Sequence, residues 1–100
     1  MKVDLNQKLL DFEGDPIKIA ENDEVWTLKK AVVNSLGAAL DADKGQDYEK
    51  AIKRWKLAVR LQEGGEQEIE AEELVEIRKR LVTCYPSALI SGQACEMLKG

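Results

Sequence analysis

One hundred residues with a formal net charge of −4 make a single domain, large enough for one core and too short for two. With no histidine, the commonest general acid–base and every nucleophile–histidine pair are excluded. Two cysteines alone do not close a zinc site. An apolar share of 44% argues against wholesale disorder, and no apolar run approaches the roughly 18 residues that a membrane span needs.

The first residues, MKVDLNQKLLDFEGDP, contain no uninterrupted apolar stretch and no small-residue cleavage site, so a cytosolic chain is expected. In LLDFEGDPIKI, Leu10 and Phe12 are two apart, as are Ile17 and Ile19, which is the strand period. Glu13-Gly14-Asp15-Pro16 lies between them as a turn, and the segment reads as a β-hairpin. Two strands are marginal alone, so this hairpin must lie against helices.

Thr27 is a good N-cap for a first helix over residues 28–40, with Leu28, Val32, Ser35, Leu36 and Ala39 on one face. Gly37 lowers its helix propensity and predicts close packing against a neighbour. DADKGQD follows as a loop. Asp41 and Asp43 take the first two ligand positions of a calcium loop, but Gly45, Gln46 and Ile52 break that pattern, and a polar connection explains it better.

A second helix is predicted over residues 48–63, stopped by Gly64-Gly65. The acidic loop EQEIE follows. Ile69 and Leu74 then have the spacing of a hydrophobic staple around an N-cap at Glu70. The third helix carries Leu74, Ile77, Leu81, Cys84 and Tyr85 inward, with glutamates first and Arg78, Lys79 and Arg80 later, as the helix dipole favours. Glu76 and Arg80 add an i,i+4 pair. Pro86 breaks the chain, and Ser87 caps a last helix ending near Leu98, with Ile90, Ala94, Met97 and Leu98 inward. Cys84 and Cys95 read as small buried hydrophobes rather than a disulfide.

The fold class is therefore α+β and mainly α: one domain over residues 1–100, with an N-terminal β-hairpin over 1–26 packed on about four helices over 27–100. Its charge comes in blocks. Residues 48–63 carry five bases and two acids, whereas residues 64–77 carry six glutamates and no base.

The basic helix holds the candidate site. At about 100° per residue, Tyr48, Ala51, Ile52, Trp55, Ala58 and Val59 fall within an arc of about 120°, which reads as a core stripe with Trp55 inside. Leu57 and Leu61 project on the opposite side among Lys50, Lys53, Arg54 and Arg60. Either another element covers the two leucines, or the six residues form a docking patch for a protein partner. A small domain has little core to spare, which favours cover. A second expected surface is the acidic segment Glu66 to Glu76, and the two surfaces could meet between copies in a self-associated form.

The alternative is a nucleic-acid-binding or regulatory protein that uses the basic face of residues 48–63, with Arg78, Lys79 and Arg80 as further candidate bases. The acidic total and the lack of a reading motif disfavour it. Gly64-Gly65 lacks the Lys-Ser/Thr of a P-loop, and carboxylates such as Glu72 and Glu76 are ordinary surface acids. No catalytic residue, cofactor or metal is expected.

The succession LLDFEGDPIKI, WTLKKAVVNSLGAAL, DYEKAIKRWKLAVRL and AEELVEIRKRLVTCYPSALISGQACEML resembles small uncharacterised proteins encoded by tailed bacteriophages and prophages. The likeness spans nearly the whole chain, from the Asp/Gly/Pro hairpin to the Tyr-Pro break and the Gly-Gln-containing last helix. It implies a bacterial host cytoplasm and a non-enzymatic role through protein–protein contact, in virion assembly or host-protein interference. It supplies no site residues, because such a site must be argued from side chains.

Overall fold

A computed structural model describes residues 1–18, 24–38, 40, 44–45 and 48–99. Among these residues the chain is mainly helical, with four α-helices and an N-terminal hairpin. The elements are β1 (Lys2–Asp4), α1 (Leu28–Gly37), α2 (Tyr48–Gln62), β2 (Glu66–Glu68), α3 (Ala71–Cys84) and α4 (Gln93–Met97), the last preceded by a π-helical turn over Ala88–Gly92. The calcium-loop positions Asp41, Asp43 and Gln46, and the inward positions Ile19 and Ala39, lie outside the described residues.

The hairpin is built around Asp11. Its carboxylate accepts the N–H groups of Glu13 and Asp15 at 2.9 Å each, and Gly14 takes the left-handed turn position with φ 90°. The arms close at the bridge of Leu10 with Pro16, where the Asp11 N–H donates to the Asp15 carbonyl at 2.7 Å and the Ile17 N–H to the Leu9 carbonyl. The pairing goes no further because the Leu9 N–H is given to Trp26. Three chain segments then meet in a ring. Ile17 donates to the Leu9 carbonyl, Leu9 to Trp26 and Trp26 back to Ile17, at 3.0, 2.9 and 2.7 Å.

The register differs from the expected one by a single residue. Leu9 is fully buried, whereas Leu10 is exposed and Phe12 is 87% exposed. A one-residue shift exchanges the faces of an extended segment.

The two-stranded ladder forms where the sequence reads as an acidic loop. β1 pairs antiparallel with β2, placing Lys2 opposite Glu68 and Val3 opposite Gln67. Val3 is buried, and the Gln67 amide donates to the carbonyls of Arg60 and Gly64 at 3.0 Å each, so this strand is tied to the end of α2.

One core joins these parts. It contains Val3, Leu5 and Leu9 from the N-terminal segment, Leu28, Val32 and Leu36 from α1, and Leu74, Ile77 and Leu81 from α3, with Ala94 and Leu98 beneath. α1 packs against both α2 and α3. The Thr27 hydroxyl caps α1 by accepting the Lys30 N–H at 3.3 Å. Ile69 and Leu74 are both buried, and the Glu73 carboxylate accepts the Glu70 N–H at 3.0 Å, completing the entry into α3. Tyr85 ends α3 edge-on to Trp26, with ring centroids 5.6 Å apart.

One local reading needs correction. Gly37 is exposed, and a Cβ placed there would meet nothing within 4 Å, so it marks no close packing. Gly37→Ala is therefore expected to raise the free energy of unfolding by about 0.5 kcal/mol, read by chemical denaturation, since alanine restricts the unfolded chain and suits the helix. The last helix opens as a π turn. The Ser87 carbonyl there receives the Ser91 hydroxyl at 2.9 Å, and the Ser87 hydroxyl accepts the Leu89 N–H at 3.2 Å. Gln93 follows, and its amide both accepts from and donates to the Leu10 main chain at 2.7 and 2.8 Å, acting as a strand partner for the hairpin.

Cys84 and Cys95 are free and half-buried. Burial pushes the Cys95 thiol up from its usual range, with nearby Arg78 opposing.

Candidate protein-interaction surface

α2 is held by its C-terminal end. Gly64 and Gly65 both take left-handed φ values of 72°, and a Cβ on Gly64 would lie 2.8 Å from the Asn6 side-chain oxygen. That oxygen accepts the Gly65 N–H at 3.2 Å, and the Gly65 carbonyl accepts from Leu5 at 2.9 Å. Arg60 adds a salt bridge to Glu73 at 3.0 Å. These ties fix the roll of the helix about its axis.

The resulting roll is opposite to the one that the apolar arc suggests. Leu61 is fully buried, Leu57 is 9% exposed, and Ala58 is half-buried beside them. Trp55 is 66% exposed, and Tyr48, Ile52 and Val59 are exposed with it. Trp55 is thus not a core residue, and Leu57 and Leu61 are not part of an outward patch; they are the two anchors of α2 in the core.

The four outward apolar residues lie within an arc of about 60°, centred roughly 170° from the buried leucines. Every residue from Tyr48 to Lys53 is exposed, so the first turns of α2 stand clear of the core.

The bases sort into several environments. Arg60 faces Glu73, while Lys53, Arg54 and Lys56 line an open groove of about 500 Å³, whose far wall is Glu70, Glu72, Glu73 and Glu76. Basic helix and acidic segment therefore meet within one chain. Lys50 and Arg54 also make contacts of their own. Lys53 and Lys56 have no ion pair among the described residues.

The basic cluster of α3 is not a surface set either. Arg80 is 3% exposed and donates to main-chain carbonyls of α1, and Arg78 donates to the Leu98 carbonyl at 2.9 Å; Lys79 alone of the three is exposed.

Of the six residues read as a partner surface, Lys50, Lys53, Arg54 and Arg60 lie beside the buried pair Leu57 and Leu61, not around an exposed one. Tyr48, Ile52, Trp55 and Val59 take the place of the leucines as the outward apolar group. A third outward aromatic, Phe12, rims a recess with Leu10, Ala88 and Leu89 near the π turn.

No group of histidine, cysteine or carboxylate side chains suited to hold a metal occurs among the described residues. No helix of the described residues is long and apolar enough to cross a membrane. Compared with known proteins, the chain matches no family model, no curated protein and no solved structure.

Proposed function

We propose that this chain is a non-enzymatic protein of the bacterial cytoplasm that acts by protein–protein contact, with the outward face of α2 as its binding surface. The setting is the one that its resemblance to small tailed-phage proteins implies, virion assembly or interference with a host protein. The observation that carries the proposal is the uncovered stripe of Tyr48, Ile52, Trp55 and Val59 on a helix whose opposite side is already anchored.

A scattered exposed leucine needs no explanation, whereas an ordered stripe around a tryptophan does. Tryptophan and tyrosine are the residues most often found at the energetic centre of interfaces, because each covers a large area with few torsions to freeze. The rigid mounting supports the same reading: the stripe is presented on a formed helix, so docking orders little additional chain.

The test is a photo-crosslinking side chain placed at residue 55, with residue 96 as control, in the cells that naturally carry the protein. A discrete crosslinked polypeptide from position 55 and none from position 96 is expected. Equal products from both positions, or none from either, would overturn the proposal.

A further inference from the structure

We infer that the outward face of α2 takes the outward face of α3 from a second copy, head to tail; this rests on α2 being the binding surface and names what occupies it. α3 has an uncovered face of its own. Ala71, Glu72, Val75, Glu76, Lys79 and Val82 are all exposed, and Val75 and Val82 are among the large apolar residues left open. Both valines point the same way, about 20° apart around the axis.

The two faces match in spacing. Val75 and Val82 are seven residues apart, about 10 Å along the helix, and so are Ile52 and Val59. Laid antiparallel, Ile52 meets Val82 and Val59 meets Val75. Trp55 falls between them, level with Lys79 but on the opposite flank of the seam, the flank that carries Arg78.

Charge selects that direction. In the antiparallel arrangement the flank of α2 with Lys53 and Lys56 runs beside the flank of α3 with Glu72, Glu76 and Lys79, where two acids outweigh one base. The parallel arrangement turns the same flank of α2 toward Arg78, and two bases then face a third. Pairing α2 with α2 is worse, because each helix brings five bases against one acid.

In a head-to-tail contact each added copy leaves one face of each kind open, so the association does not close by itself. Its footprint is two helix faces, short of the about 1,200 Å² of a standard stable interface, so the association is weak and sensitive to salt.

Sedimentation of the purified full chain at low salt tests this, with the single-face variants Trp55→Glu and Val82→Lys. Both positions are exposed, and unchanged melting curves confirm that the variants are folded. The wild-type mass should rise above 11.2 kDa with concentration and return on adding salt, while each variant alone stays monomeric.

An equimolar mixture of the two variants should form species of two chains and no larger, because each contributes one intact face. Wild type that is monomeric throughout, Val82→Lys that associates like wild type, or a mixture that stays monomeric would each overturn the inference. If residue 55 nevertheless crosslinks a different polypeptide or lipid in cells, only the occupant is wrong for the first and the surface itself for the second; with no crosslink at all, both readings fall.

Discussion

Leu61→Ala lowers the free energy of unfolding by about 3–4 kcal/mol, whereas Trp55→Ala changes it by less than about 1 kcal/mol. The order is the reverse of what side-chain size predicts. Leu61 is fully enclosed and belongs to the cluster that α1, α3 and the N-terminal segment share, so its truncation leaves a cavity as well as losing buried methyl groups. Trp55 keeps 66% of its surface in water, and truncating it opens no cavity.

For a domain of 100 residues, a loss of this size lowers Tm by well over about 10 °C. Urea titration of both variants measures the difference directly. A tryptophan variant as damaged as the leucine variant would mean that the helix lies on its wide apolar arc, and the surface proposed for binding would then not exist.

Much of the architecture can be read from local chemistry. Thr27 caps α1, Gly64-Gly65 ends α2, and Ile69 with Leu74 staples the start of α3, because each signal acts within one turn of chain. What escapes the sequence is pairing at a distance. Glu66-Gln67-Glu68 has the composition of a solvated loop and becomes a strand because β1 offers it an edge. Strand propensity in so short a segment depends on the partner rather than on the residues. The register of Leu9, Leu10 and Phe12 fails for a related reason: adjacent leucines give alternation two equivalent phases, and the ring of bonds through Ile17 and Trp26 selects one.

The site was legible in its location and not in its orientation. The sequence singles out α2 and shows that it has two apolar sides, one of six residues and one of two. A rule based on the larger apolar area picks the wrong side, because long basic side chains tolerate a position beside a core while their charges reach solvent. Lys53, Arg54, Lys56 and Arg60 stand around Leu57 in that way, along the groove toward α3. The deciding ties come from Asn6, Leu5 and Gln67, which lie outside the helix and leave no trace in its periodicity.

Arg80→Met lowers the free energy of unfolding by about 3 kcal/mol, although an arginine in the run Arg78-Lys79-Arg80 looks like one more surface base. Its guanidinium lies against the end of α1, donating to the Ser35 carbonyl at 2.8 Å and the Ala38 carbonyl at 2.7 Å, with Glu76 at 3.8 Å. Those carbonyls belong to the end of α1, where the helix itself supplies no further donors and the dipole is negative. Methionine fills much of the volume but leaves the carbonyls without these donors, at about 1.5–3 kcal/mol for each hydrogen bond to a charged group, partly recovered where water reaches Ala38.

Arg80→Lys retains the charge and loses the two-pronged geometry, so it should fall between methionine and wild type. Lys79→Met, one position away and exposed, should be neutral within about 0.5 kcal/mol. Denaturation midpoints of the three variants separate a structural guanidinium from a surface one. Equal losses at residues 79 and 80 would show that charge near α3, not the tie to α1, is what matters.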